Sequence, residues 1–240
     1  MQQLVDRLKT KYQFDICCDK VETSIGTLDV KKVKEYNLFS QKTGIILMDK
    51  SDLISVVKSV DNRLGRLLEV QHTLDFLKLI DREKITVFGI NMLVDMFRKA
   101  FEYLFGEDVL LSISTKEEYD DLVLLIKWVH GLPVEMENPN PVIAKLDKVK
   151  KTVMSGGQDI NFDTMYSTVW IATGNKPDDM TLYQFQELFH RFSMIKQYET
   201  STLFKTVDSK GTIDVMNWYE NKNKDTKKYV DIEKIRGKTF

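Results

Sequence analysis

The sequence predicts a mainly α, helical bundle-like protein with a small β-element near its N-terminus. Three observations lead to this prediction. Apolar residues recur at three- and four-residue spacing along most of the chain, as on the buried face of a helix. Residues that cap helices stand directly before several of these segments. Strand-like alternation is clearest just before residue 30, and the 240 residues, 42% of them hydrophobic, are enough to fill a core.

The N-terminal region combines a short helix with the β-element. The spacing of apolar residues predicts an amphipathic helix over residues 2–12. The apolar run from Phe14 to Cys18 and the alternating segment from Ile25 to Val30 are typical of strands. We expect a hairpin that turns near Glu22 to Ser24. The mixed spacing of residues 31–40 favours a helix after it.

Two further helices are predicted before residue 81. Asp49 or Ser51 can cap the first of them. Asp61 then caps a longer helix whose apolar side reaches Ile80. A short strand-like run over residues 85–88 follows.

The next two helices have clearer end signals. One begins at Asn91 and continues through Phe105, where Gly106 ends it as a left-handed residue would. Ser114 and Glu117 form a capping box, in which each side chain satisfies the other residue's free amide. This box opens a helix that runs to about residue 130.

Three of the four prolines lie between Leu132 and Pro141 and mark the best candidate for a domain boundary, because proline resists helix formation. Helical periodicity returns over residues 142–154. The predicted parts are an N-terminal part with the β-element and helices, a proline-rich linker, a C-terminal helical part and a basic flexible tail: 1–131, 132–141, 142–220 and 221–240.

The C-terminal part contains the strongest helix signal. Asp159 or Asn161 caps a helix that ends near Gly174. Thr181 and Gln184 form a second capping box. The helix after this box has near-ideal spacing, and we expect it to reach residue 207 and to be the longest in the chain.

Charge and composition exclude several classes of partner. With 35 basic and 36 acidic residues, the net charge of −1 provides no drive towards nucleic acid or an anionic membrane. No apolar run approaches the roughly 20 residues that span a bilayer, and the first residues lack the layout of a signal peptide. Cys17 and Cys18 are adjacent, which disfavours a disulfide between them. One interpretation is a pair that binds a soft metal or changes its redox state. The interpretation that we prefer is two small apolar residues in a strand. The expected absence of a disulfide fits a cytoplasmic protein.

No catalytic, cofactor or metal site is recognisable in the sequence. His72, His130 and His190 each stand alone, without the spacing of a helical metal-binding pair. Adjacent acids stand near helix starts, where the helix dipole favours them. An enzyme whose site is assembled from scattered acids is the alternative from another class, with candidates Asp95, Glu117 and Asp121.

Two helices carry more aromatic and methionine residues than a single core face needs. Such side chains form adaptable partner surfaces, and they also fill ordinary cores, so both interpretations stay open. The candidate partner-binding residues are Met92, Met96, Phe97, Phe101, Tyr183, Phe185, Phe189 and Phe192.

Two stretches resemble segments of proteins from tailed bacteriophages. The segment from Ile25 to Tyr36 is similar to the opening of virion and tail proteins of phages that infect Gram-positive bacteria, where a strand precedes a Val-x-Glu-Tyr helix. The segment from Asp178 to Phe185 is similar to the Met-Thr-x-x-Gln-Phe helix start of phage tail assembly chaperones. In those proteins a helix pair is followed by a Trp-containing segment, which would be residues 213–219 here.

The resemblance implies a non-enzymatic helical protein that holds other phage tail proteins during virion assembly. The tape measure protein is one candidate partner, and the host cytoplasm is the expected location. The resemblance brings no catalytic residues and no cofactor. A permanent component of the tail or baseplate, present in the virion, is the alternative, and the formation of a homo-oligomer stays open.

Overall fold

The structure is a computed structural model, and it describes residues 7–8, 10–12, 18–83, 88–132, 161–208 and 215. Within these ranges it contains eight α-helices from Tyr36 onwards, helical residues at 7–8 and 10–12, and a two-stranded antiparallel sheet near the N-terminus. This confirms the predicted fold class. The strands are β1 (Lys20–Thr23) and β2 (Gly26–Asp29), followed by a 3-10 turn (Val33–Glu35). The helices are α1 (Tyr36–Leu47), α2 (Lys50–Val60), α3 (Asn62–Val70), α4 (Thr73–Glu83), α5 (Phe88–Phe105), α6 (Lys116–Val129), α7 (Phe162–Thr173) and α8 (Leu182–Val207).

Several predicted features lie outside the described residues. They are most of the apolar run that ends at Cys18, the strand-like residues before Phe88, the linker after Leu132, the helix over 142–154, the Trp-containing segment apart from Val215, and the basic tail. Cys18 itself is half-buried beside β1 and packs against the core.

The turn of the hairpin lies later than predicted. Val21 of β1 lies opposite Leu28 of β2, and both side chains are buried. The chain turns at Ser24 and Ile25, so the segment assigned to the turn belongs largely to β1. Gly26 has a φ of +141°, which only glycine adopts without strain, and it therefore fixes where the turn ends.

The predicted single helix from Asp61 to Ile80 is wrong, because the structure divides it into α3 and α4. Asp61 caps α3 as expected, and its carboxylate accepts the N–H groups of Arg63 and Leu64 at 2.7 and 3.1 Å. Gln71 is extended and ends α3. His72 then accepts the N–H of Leu74 at 3.2 Å, so its ring caps α4. A local side-chain bond of this kind competes with helix continuation.

Other helix ends confirm or shift the predicted caps. Asp49 precedes α2 but makes no side-chain capping bond. α5 begins at Phe88, earlier than the predicted Asn91. Gly106 has a φ of +78° and ends α5 as predicted. Asn161 caps α7 by accepting the N–H of Thr164 at 2.8 Å.

The capping box predicted from Ser114 and Glu117 is wrong, because the helix is capped one residue later and by a different pair of bonds. Thr115 is the N-cap of α6, and its hydroxyl accepts the N–H of Glu118 at 3.1 Å. Glu118 accepts the N–H of Ser114 at 2.7 Å in return. The serine and the threonine are both good caps, so the pattern alone placed the box wrongly.

The second predicted capping box is present. Thr181 accepts the N–H of Gln184 at 3.2 Å, and Gln184 accepts the N–H of Thr181 at 3.0 Å. The helix that follows has 26 residues and is the longest that the structure describes.

α5 is the central helix of the described core. It packs against α1, α2, α4 and β2, while α6 packs against α1, α4 and α8. The largest fully buried side chains are five phenylalanines from four helices. They are Phe39 of α1, Phe76 of α4, Phe97 and Phe101 of α5, and Phe185 of α8.

Backbone pairing joins the two halves of the chain. The N–H of Val33 donates to the carbonyl of Met180 at 2.9 Å, and the N–H of Leu182 donates to the carbonyl of Lys31 at 3.1 Å. The segment after β2 therefore pairs with the segment before α8. This contact places α7 and α8 against the N-terminal helices.

Aromatic packing supports the same contact. The ring of Phe162 on α7 stacks on Tyr36 of α1, with ring centroids 3.6 Å apart. The same ring also packs against Phe185 of α8, at a centroid distance of 5.2 Å. The described residues of the predicted C-terminal part are thus packed directly on those of the N-terminal part.

Candidate partner-binding faces

α5 separates its predicted binding residues into two sets. Met92 and Met96 are 51% and 46% exposed, whereas Phe97 and Phe101 are buried in the core. Residues four apart lie on the same stripe of a helix. The two methionines occupy one stripe and the two phenylalanines another, so only the methionines can meet a partner.

α2 packs against α5 and carries two exposed valines, Val56 and Val60. A Cβ atom at Gly89 would lie 2.7 Å from a methyl carbon of Val60, so the glycine permits the close approach of α2. Gly89 stands three residues before Met92 and therefore lies on the same side of α5 as that methionine. Val56, Val60, Met92 and Met96 are the exposed apolar side chains of these two packed helices, and we call them the α2–α5 face.

α8 also divides its predicted binding residues. Phe185 is fully buried against Phe162, while Tyr183, Phe189 and Phe192 are half-buried. Trp128 of α6 meets Tyr183 edge-to-face, with ring centroids 6.3 Å apart. The first half of α8 is therefore mostly a packing element.

The distal half of α8 exposes three apolar side chains that the sequence analysis did not select. Leu203, Phe204 and Val207 are 70%, 58% and 77% exposed. Their spacing of one, three and four residues puts them on one side of the helix. We call these three residues the distal α8 face. The spacing of these residues is visible in the sequence, but they lie beyond the dominant aromatic pattern of α8, which ends near residue 195.

A groove of about 370 Å³ lies where α1, α2, α4, α5 and α6 converge. Its walls are mainly apolar, and its rim carries two acids and two lysines. One acid and one lysine of the rim, Asp49 and Lys127, lie 3.8 Å apart. The other acid, Asp120, lies 3.1 Å from His72. The rim charges thus have partners within the protein.

His130 is a buried structural histidine. Its Nε2 accepts the N–H of Lys31 at 3.1 Å, so the proton is on Nδ1, which donates to the carbonyl of Ile126 at 2.8 Å. Phe39 stacks on the ring at a centroid distance of 4.4 Å. Burial is the main cause that lowers the pKa of His130 from 6.5 to about 4, and the ring is neutral near pH 7.

The acids proposed for an enzymatic site have separate surroundings. Asp121 forms ion pairs with Arg7 and with Lys11, the latter at 2.8 Å. Asp95 lies 3.9 Å from Lys99 on the surface of α5, and Glu117 is exposed in the first turn of α6. Among the described residues, no group of three or more His, Cys, Asp or Glu side chains is arranged to hold a metal ion.

The length and the apolar character of the described helices decide whether any of them can cross a bilayer. None of them combines the length and the apolar character that crossing a bilayer needs.

Comparison with known proteins relates the chain to a prophage protein. Residues 152–223 match a protein family described as the YomV second domain. Over 211 residues the chain is 23% identical to the SPbeta prophage-derived uncharacterized protein YomV of Bacillus subtilis (strain 168), and the match covers 85% of each protein. No solved structure matches the chain. The chain is therefore similar, over most of its length, to a prophage-derived protein, and the matched second domain includes α7 and α8.

Proposed function

We propose that this chain is a non-enzymatic phage tail protein that binds other tail proteins during virion assembly. The observation that carries the proposal is the similarity to a prophage-derived protein over 85% of the chain. The assignment to the tail rests on the two segments, Ile25 to Tyr36 and Asp178 to Phe185, that resemble phage tail proteins. Assembly takes place in the host cytoplasm.

The distal α8 face is the surface that supports binding of another tail protein. Each apolar side chain of this size contributes about 1.5–3 kcal/mol when it moves from water into a fully buried contact. The charged residues earlier on the helix pair with each other, Arg191 with Glu187 at 2.8 Å and Lys196 with Glu199 at 2.7 Å. Burial of Leu203, Phe204 and Val207 is therefore the main gain that α8 offers to a partner.

Co-expression with the tail proteins encoded by the same phage, including the tape measure protein, tests this function. We expect one of them to elute with the chain as a complex in size-exclusion chromatography. Leu203→Asp together with Phe204→Asp should remove the complex, because the carboxylates would be buried without partners. Val70→Asp is the matched control, since Val70 is also exposed but lies on α3.

Two results would contradict the proposal. One is that none of the tail proteins forms a complex with the chain. The other is that Val70→Asp weakens the complex as much as the α8 substitutions do. Mass spectrometry of purified particles then separates the two structural roles, since an assembly factor is absent from the virion and a permanent tail or baseplate component is present.

A further inference from the structure

A helical segment near the N-terminus is fastened to α6 at a single carboxylate. Residues 7–8 and 10–12 are helical, and we call them the N-terminal strap. Asp121 of α6 forms one ion pair with Arg7 and a second with Lys11, the latter at 2.8 Å. The Asp121 side chain is only 12% exposed, and a carboxylate so far from water needs partners of this kind. Both ion pairs therefore end at one residue of α6.

The strap carries its charged and its apolar side chains on two adjacent stripes. Arg7 and Lys11 stand four residues apart, so they share one side of the helix. Leu8 and Tyr12 have the same spacing, and both are buried in the hydrophobic core. The strap thus contacts the rest of the protein through a basic stripe and an apolar stripe, which lie side by side.

This attachment is small, and water reaches its polar part. The side chains of Arg7 and Lys11 are 59% and 44% exposed. Among the described residues of the strap, Leu8 and Tyr12 are the apolar anchors, whereas α5 buries apolar side chains along its whole length. Segments with few buried contacts open at a lower free energy than the core of the same protein. The strap is therefore attached more weakly than the helices beneath it.

We propose that the N-terminal strap is a separable unit that opens while the helical core stays folded, and that Asp121 is its latch. Opening uncovers Asp121 together with the apolar surface beneath Leu8 and Tyr12. Salt favours the open state, because it screens the half-exposed charges of Arg7 and Lys11. This inference does not depend on the proposed function, since the strap and its latch share no residue with the distal α8 face.

Hydrogen exchange of the full-length chain, followed by mass spectrometry, tests the latch. Asp121→Asn keeps the shape of the side chain and removes its charge. Peptides that cover residues 7–12 should then exchange at least about tenfold faster, because two charge-assisted hydrogen bonds are weakened. Peptides from α5 should keep their rates. Asp120→Asn is the matched control and should leave the strap unchanged, since Asp120 is 60% exposed and pairs with His72 instead.

Arg7→Gln together with Lys11→Gln removes the same ion pairs from the side of the strap. Both side chains are largely exposed, so the core should fold as it does in the original chain. This variant should open the strap as much as Asp121→Asn does. Combining all three substitutions should add little, because they act on one contact. Salt at about 1 M should speed the exchange of the strap in the original chain and not in Asp121→Asn.

Several results would overturn the proposal. One is that residues 7–12 exchange at the same rate in the original chain and in Asp121→Asn. Another is that the strap and α5 always accelerate together, which would mean that the strap opens only when the whole molecule unfolds. Full additivity of the strap and Asp121 substitutions, or equal acceleration in Asp120→Asn, would show that Asp121 is not the latch.

Discussion

His130 lies where three segments of the chain meet. Its ring joins the carbonyl of Ile126 in α6 to the N–H of Lys31 after β2, and the carbonyl of Lys31 accepts the N–H of Leu182 at the start of α8. Both ring nitrogens are used, and only the neutral ring can accept from Lys31. The Lys31 ammonium further lowers the pKa of the ring, although less than burial does.

Acid should therefore destabilise the protein through His130. The folded-state pKa of about 4 is below the ordinary value of 6.5, so unfolding takes up a proton between these values. The contribution is complete above pH 6.5 and is lost as the pH falls towards 4, by up to about 3 kcal/mol. Urea denaturation at a series of pH values measures the free energy of unfolding.

The control for this prediction is His130→Gln, which lacks the titrating group. Its free energy of unfolding should be lower at pH 7 and should change less between pH 6.5 and 4. An equal change with pH in both proteins would show that His130 is not responsible.

Some of the predicted binding residues lie on the surface and others lie in the core. Sequence spacing identified α5 and α8 as rich in apolar residues, but it did not say which stripe of each helix faces the core. Met92 and Phe97 are both apolar, and their difference in burial comes from the position of α2, α1 and α4 around α5. Tertiary packing of this kind is not encoded in the periodicity of one helix.

The helices themselves could largely be predicted from local chemistry. Asp61, Asn161 and Thr181 cap α3, α7 and α8 as expected, because a capping bond involves only neighbouring residues. The break at Gln71 was missed, since no glycine or proline marks it and a histidine makes the cap. The position of the hairpin turn was missed because the turn depends on the positive φ of Gly26.

Substitutions at the start of α6 test which residue caps this helix. Thr115→Ala removes the hydroxyl that caps the helix and should lower the free energy of unfolding by about 1 kcal/mol. Ser114→Ala should have a much smaller effect, because only the backbone N–H of Ser114 contacts Glu118. Thermal or urea denaturation of the two variants compares them. If Ser114→Ala lowered the free energy of unfolding more than Thr115→Ala does, Ser114 would be the cap, as the sequence predicted.

Glu118 connects this helix start to the hairpin. The Ser24 hydroxyl donates to its carboxylate at 2.5 Å, and this bond is the main cause that lowers the pKa of Glu118. The amides of Ser114 and Thr115 add to the effect. The charged form of Glu118 therefore holds both the turn of the hairpin and the first turn of α6.

For the whole molecule, the main question is how α7 and α8 are attached to the N-terminal helices. Pairing between the segments at Lys31 and Leu182 fixes the start of α8, and Phe162 packs between α1 and α8. Lys34 and Asp179 form an ion pair at 3.0 Å across this contact. Because the pair is exposed, it helps to orient the two segments but buries little of their surface. The attachment leaves the distal α8 face and the α2–α5 face uncovered, and the proposed function uses the distal α8 face.

Hydrogen exchange tests this attachment. The amides of Val33 and Leu182 donate across the contact, so they should exchange slowly and at similar rates. The amide of Asn175 donates only to the nearby Thr173 hydroxyl and should exchange quickly. Rapid exchange at Leu182, equal to that of Asn175, would show that α8 is not held against the N-terminal helices in solution.

Electron microscopy of particles made without this chain tests the proposed role in tail assembly. A stop codon early in its gene, in a prophage that encodes it, removes the protein from the assembling cell. We expect filled heads with missing or incomplete tails, and recovery of complete tails when the chain is supplied from a plasmid. Particles with tails of normal length and normal infectivity would contradict a role in tail assembly.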